Sequence, residues 1–118
     1  MSEKKIKVEE KAFRFAKDII ATVMSLPQNE YRFVLGKQLM RAATSIGANI
    51  EEAQGGITKR DFIHSMNIAK KEAREACYWL KLSSEFNVVN KSKIYDLIDK
   101  SEELRKILTS IVKTAQNK

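Results

Sequence analysis

The sequence predicts an all-α fold, a single antiparallel up-down-up-down four-helix bundle spanning residues 1–118. Three observations carry this. The 118 residues contain only one proline and four glycines, too few breakers for the many tight turns of an all-β fold. Apolar residues recur at three- and four-residue spacing over four long segments. The segments are separated by short breaks, which favour antiparallel neighbours. Hydrophobic residues make up 43% and charged residues 31%, an ordinary globular composition that can bury a core without disulfides or metals.

The first helix is predicted from Val8 to Ser25. Ala12, Phe15, Ala16, Ile19, Ile20 and Val23 share one face, and Leu26-Pro27 ends it because the residue before proline is pushed out of helical geometry. The second runs from Glu30 to Gln54 with a main stripe of Tyr31, Leu35, Leu39, Ala42, Ile46 and Ile50. A second stripe, Gly36, Met40, Ala43 and Gly47, is rich in small residues. Mid-helix glycine costs about 1 kcal/mol against alanine, so two on one face predict close approach of another backbone. Gly55-Gly56 is expected to stop the helix in a left-handed cap.

The third helix is predicted from Lys59 to Phe86, capped by Thr58 with Asp61 in the first turn. Phe62, Met66, Ala69, Ala73, Ala76, Cys77 and Leu80 form its apolar arc. Ile68, Trp79, Leu82 and Phe86 lie on a separate flank that one intramolecular core does not need. After Asn87-Val88-Val89-Asn90, the fourth helix runs from Lys91 or Ser92 to Thr114, with Ile94, Leu97, Ile98, Leu104, Ile107, Leu108 and Ile111 inward and Ala115–Lys118 frayed. The surplus faces, Gly36, Ala43 and Gly47 on one side and Ile68, Trp79, Leu82 and Phe86 on the other, are the expected oligomer interface.

Catalytic equipment is missing from the pattern. His64 is the only histidine and Cys77 the only cysteine. On one helix they stand roughly 20 Å apart, too far for a nucleophile pair. Cys77 falls in the apolar arc, where a structural thiol is expected. No Glu-x-x-His pair of the di-iron bundles occurs, and Gly55-Gly56 lacks the Gly-Lys-Ser/Thr of a phosphate loop. The chain is therefore expected to be no enzyme, with no metal and no cofactor. Met1–Lys5 has no apolar run behind it, no stretch reaches the roughly 20 apolar residues of a membrane span, and the lone cysteine fits a reducing compartment. A cytoplasmic protein without a membrane partner is expected.

The charge is +7, from 22 Lys+Arg against 15 Asp+Glu. Lys70, Lys71, Arg74 and Lys81 fall within about a third of the circumference of the third helix, around Asn67 and Tyr78, and Lys59 and Arg60 open that helix. Such a row can meet a phosphate backbone, with Tyr78 offering a stacking face. It can equally be a solvated face balanced by Glu75 or Glu85. On the second helix, Gln38, Arg41, Ser45, Asn49 and Glu52 are expected to be structural, Asn49 bonding to a neighbouring helix and Arg41 pairing with Glu52 or Glu75.

The run Gln38-Leu39-Met40-Arg41-Ala42-Ala43-Thr44-Ser45-Ile46-Gly47-Ala48-Asn49-Ile50-Glu51-Glu52 resembles the signature of the bacterial four-helix-bundle family encoded in intervening sequences of 23S ribosomal RNA genes. The accessory proteins of diversity-generating retroelements look similar. The pattern reads approximately Q-L-x-R-A-A-x-S-I-x-x-N-I-A-E-G, then a glycine-containing turn, then a phenylalanine and an alanine-rich helix. Phe62, Ile68-Ala69, Glu75 and Tyr78-Trp79-Leu80 match its continuation, so the resemblance covers nearly the whole chain. Glu51 stands for the usual alanine, Ala53 for glycine, and Lys71-Glu72 for Gly-Ser. The resemblance implies a homo-oligomer, typically a pentameric ring, with no enzymatic activity. Retroelement-linked members bind nucleic acid and a reverse transcriptase through a basic surface. The expected function is RNA or DNA binding through Lys59, Arg60, Lys70, Lys71, Arg74 and Lys81. The alternative is a scaffold presenting helices to a protein partner.

Overall fold

A computed structural model describes residues 7–117, so the reading of Met1–Lys5 and of Lys118 lies outside the described residues. Four long helices form: α1 (Val8–Met24), α2 (Lys37–Gln54), α3 (Lys59–Ser83) and α4 (Lys91–Gln116). No strand occurs among the described residues, so the all-α class holds. A π-helical turn, Arg32–Gly36, runs straight into α2, with Tyr31 and Gly36 both in helical conformation.

Local signals start and stop these helices much as the sequence indicates. Thr58 Oγ1 accepts the amide of Asp61 at 3.0 Å, and Asn90 Oδ1 accepts that of Lys93 at 3.2 Å, each satisfying a donor that an α-helix leaves open at its N-terminus. The third helix ends at Ser83, leaving Phe86 in a turn, and the fourth continues to Gln116 through part of the segment expected to fray. The Gly55-Gly56 stop needs no left-handed cap: no glycine has positive φ among the described residues. At Gly56 the requirement is space, since a Cβ would lie 3.1 Å from the Ala53 carbonyl oxygen and 3.3 Å from the Phe62 amide nitrogen.

Each helix packs on its sequence neighbours, and α1 also packs on α4. The paired positions climb one helix as they descend the next. Gly36 meets Val23 while Gly47 meets Ala12. Tyr31 pairs with Ser83 while Ser45 pairs with Glu72. Lys11 pairs with Glu103 while Asp18 pairs with Lys100. Successive helices therefore run in opposite directions, and α2 and α4 in the same one. The core is built from Phe15, Ile19, Ile46, Ile50, Met66, Leu80, Ile94, Leu97, Leu104 and Leu108, all essentially inaccessible. On α4, Val112 is buried while Ile107 and Ile111 stay half-exposed.

The small-residue stripe of the second helix is not surplus. Gly36 and Ala43 are buried and Gly47 is half-buried, because α1 lies against them. A Cβ on Gly36 would come 2.9 Å from Val23 Cγ1, a clash, whereas one on Gly47 would sit 3.9 Å from the Ala12 Cβ, an ordinary contact. The close approach read from the two glycines is thus made within the chain. The other flank is largely used as well: Ile68, Trp79 and Leu82 are half-buried, with Trp79 packed on the core, and Phe86 is 54% exposed.

A polar chain closes the end of the bundle near the π turn. Tyr31 donates its hydroxyl to Ser83 Oγ at 2.6 Å, and the buried Ser83 donates to the Trp79 carbonyl at 2.7 Å. Burial pushes the Tyr31 phenol above its ordinary range, against a smaller opposing effect of the Ser83 bond. Because the folded value lies above the unfolded one, Tyr31's contribution is intact below about pH 10 and is lost as pH rises past it. Tyr31→Phe should therefore remove part of the alkaline fall in stability and cost about 1 kcal/mol at neutral pH, measured by urea denaturation across pH. The two glycines of the α1–α2 seam should separate cleanly in the same assay. Gly36→Ala should destabilise by about 1–3 kcal/mol through overpacking on Val23, and Gly47→Ala should be neutral or stabilising by up to about 1 kcal/mol.

Candidate nucleic-acid interface

The long α3 helix shows three environments along its circumference. Toward α2 it presents Glu72, Glu75 and Trp79; toward α4 it presents Phe62 and Cys77; between and away from these it presents a row of polar and basic residues. That outward row is Arg60, His64, Asn67, Lys71, Arg74, Tyr78 and Lys81, at successive spacings of three or four, and it contains no acid. It spans roughly 31 Å at 1.5 Å per residue.

The absence of acids on this row has a specific cause. Glu75, the carboxylate best placed in sequence to neutralise Lys71 and Arg74, turns toward α2. There it accepts from Arg41 Nη2, and from the Trp79 indole at 3.3 Å. Glu72 turns the same way and is only 8% exposed; Arg41 Nη1 lies 3.3 Å and Ser45 Oγ 3.2 Å from its Oε2. Arg41 also donates from Nε to Gln38 at 3.2 Å. Both terminal nitrogens of Arg41 are therefore engaged in tying α2 to α3, and its Nε bond to Gln38 fixes the side chain along α2. No buried side-chain nitrogen or oxygen is left without a partner among the described residues.

The sequence-predicted bases fall into three groups. Arg60, Lys71 and Arg74 are exposed, face outward and take part in no ion pair among the described residues. Lys81 is exposed but reaches Glu102 of α4 at 3.4 Å. Lys70 is half-buried beside the outward row, and Lys59 lines a hollow at the α3–α4 end with Phe62 and Ile111. Tyr78 is 59% exposed, and its ring meets Trp79 edge-on with centroids 5.1 Å apart. The tyrosine ring is thus packed against a partly buried neighbour.

Asn49 does not bond to a neighbouring helix. It donates to the Ser45 carbonyl at 2.8 Å and to Ser45 Oγ at 3.1 Å, inside α2, and so steadies the hydroxyl that meets Glu72. The ion-pair partners of Arg41 are Glu72 and Glu75, and Glu52 is exposed outside that network. Cys77 is buried, with its sulfur 3.8 Å from Glu102 Oε1. No cluster of three metal-ligating side chains occurs among the described residues, and no described helix is long and apolar enough to cross a membrane.

One surface escaped the sequence reading. Phe13 is 71% exposed, and with Ile20 it borders a groove of about 630 Å³ between α1 and α2. Ala12, Ala16, Gly47 and Ala48 line it, and Glu9 and Glu51 stand at one end. Phe33 and Val34, in the π turn, are also exposed. Ile20, which its spacing places in the core stripe, is 39% exposed at the groove's border. The signal available in the sequence was the extra apolar width of the first helix, where Phe13 stands outside that stripe.

The model of the 23S rRNA-intervening sequence proteins matches residues 4–110. The chain belongs to that family. Among solved structures it is similar to a protein of unknown function from the S23 ribosomal protein family of Bacteroides thetaiotaomicron. The two are 38% identical over 91% of this chain and 99% of the other, with a TM-score of 0.85. No curated protein matches the chain. In this 23S rRNA-intervening sequence protein, Lys71 supplies a base of the outward row, and Glu72 the buried carboxylate that Arg41 holds.

Breaking that tie should be costly. Arg41→Ala leaves Glu72 buried with Ser45 as its remaining partner, and the fold should lose about 2 kcal/mol in thermal or urea unfolding. Lys71→Ala, on the exposed row, should change stability by less than about 0.5 kcal/mol in the same assay.

Proposed function

We propose that this protein acts by binding rather than by catalysis, and that its ligand is structured RNA or DNA met by the outward row of α3. The observation that carries the reading is the acid-free row itself. Arg60, Lys71 and Arg74 face solvent without counter-ions, because Glu72 and Glu75 are drawn away by Arg41. On a chain of net charge +7, unneutralised bases in a line attract a polyanion and release its condensed counter-ions. Tyr78 adds an aromatic face at which an unpaired base can stack. Lys70 flanks the row, Lys81 ends it, Lys59 opens the helix, and all three belong to the proposed contact set.

The protein is further proposed to assemble with copies of itself, five being the number the family resemblance implies, and to reside in the cytoplasm. A second reading, a scaffold for a protein partner, is favoured by the apolar groove between α1 and α2, whose acidic end suits a protein better than a phosphate backbone.

Filter binding of a structured RNA over a salt series tests the first reading. Affinity should fall steeply with salt, and the log–log slope should shrink by about one for each of Lys71 and Arg74 replaced by alanine. Undetectable binding at moderate salt would sink the reading. So would binding unchanged in the Lys70→Ala, Lys71→Ala, Arg74→Ala triple variant.

A further inference from the structure

The basic surface does not stop at α3. Glu102 of α4 lies against α3, its Oε1 3.8 Å from Cys77 Sγ and 3.4 Å from Lys81 Nζ. It therefore marks the edge of α4 that borders the outward row. Lys106, Thr109 and Lys113 follow Glu102 at spacings of four, three and four, so they continue that edge, with Arg105 beside them. Lys106 and Lys113 are exposed and Arg105 is half-buried. None of the three bases joins an ion pair among the described residues.

The acids of α4 are confined to its other half. Asp96, Asp99, Glu102 and Glu103 all precede Leu104, and no acid follows along the helix. Asp96 pairs with Lys100, Glu102 with Lys81 and Glu103 with Lys11. The helices run antiparallel, so the acid-free half of α4 lies beside the first half of α3. One end of that stretch is fixed by the hollow that Phe62 lines with Ser110, Ile111 and Thr114, the other by the Cys77–Glu102 contact. Arg74, three residues before Cys77, comes level with Arg105, three residues after Glu102. Asp61, the one acid in the first two turns of α3, lies against the Gly55-Gly56 turn. Packed helices stand about 8–10 Å apart, so this end of the bundle carries two parallel rows of bases on one face. A single strand is served by one row that tracks its backbone, whereas two rows offer a place to each backbone of a duplex.

We propose that the ligand is held as a nucleic-acid duplex on the α3–α4 face, one phosphate backbone on Arg60, Lys71 and Arg74 and the other on Arg105, Lys106 and Lys113. The contact sits where α3 begins and α4 finishes. Toward the other end, Asp96 and Asp99 would repel phosphate, and they close the face. This rests on the nucleic-acid reading above and adds α4 to it.

Fluorescence anisotropy of a labelled RNA duplex, and of one of its strands alone, tests the face with the full-length chain over a salt series. Arg105→Ala/Lys106→Ala/Lys113→Ala should weaken duplex binding by about tenfold or more and lower the log–log salt slope by about two to three. The single strand should lose less. Lys17→Ala/Lys37→Ala/Lys93→Ala removes the same net charge elsewhere and should leave duplex binding within about threefold of wild type. Circular dichroism checks that each variant keeps its helices. Duplex binding that ignores the α4 triple variant, or that falls equally in the control, overturns the two-row face. So does an equal loss on duplex and single strand. If Lys71→Ala/Arg74→Ala weakens binding in those cases, the α3 reading stands without α4. A wild type that binds neither probe overturns both.

Discussion

The seam where α1 lies on the glycine-bearing face of α2 sets much of what the rest of the molecule presents. At Gly36 the approach leaves no room for even one methyl group beside Val23. Two helices this close have alanine and glycine between them, and there is no depth in which to bury large side chains. Phe15 and Ile19 turn inward to the common core, and Phe13 is forced to the rim. The exposed groove lies at the other end of this seam, where Gly47 and Ala12 meet at an ordinary contact distance.

A second constraint, electrostatic, orders the other side of α2. Arg41 holds Glu72 and Glu75 against α2, and Ser45 and Asn49 complete the arrangement. Pairs of this kind, with one partner buried, add little net stability compared with a well-packed apolar contact, but they are costly to break singly. Their consequence here reaches the opposite side of α3. Two acids of one helix are committed to α2, and the solvent-facing row of the same helix keeps its positive charge. Packing chemistry and surface potential are in this way the same set of residues viewed from two sides.

The class of fold and most of the core were legible because three- and four-residue periodicity reports directly on which residues face inward. Ile46, Ile50, Met66, Leu80 and Leu104 were readable for that reason. The Thr58 cap was legible because its bond to the Asp61 amide is local. The exposed bases of α3 could be placed on one face, but which stay unpaired could not: the commitment of Glu75 to Arg41, and of Lys81 to Glu102, is set between helices. The small-residue stripe is legible as a close-packing face, but spacing does not say that the approaching backbone is α1 of the same chain. The groove is not legible because Ile20 fits the core period and yet sits at its edge, and the turn at Arg32–Gly36 is not legible because it breaks that period.

That turn has a consequence of its own. One extra residue in a helical turn advances the following side chains by about 100° relative to those before it. Upstream, Tyr31 looks inward to Ser83; downstream, Leu39 and Ala42 look inward to the core. The spacing between Tyr31 and Leu39 fits both demands only with the phase shift included. The turn therefore works as a vernier between two ends of one continuous helix, letting the end that closes the bundle and the part that ties α2 to α3 be set independently. Losing a single residue there would force the chain to give up one alignment or the other, however well each side chain was preserved.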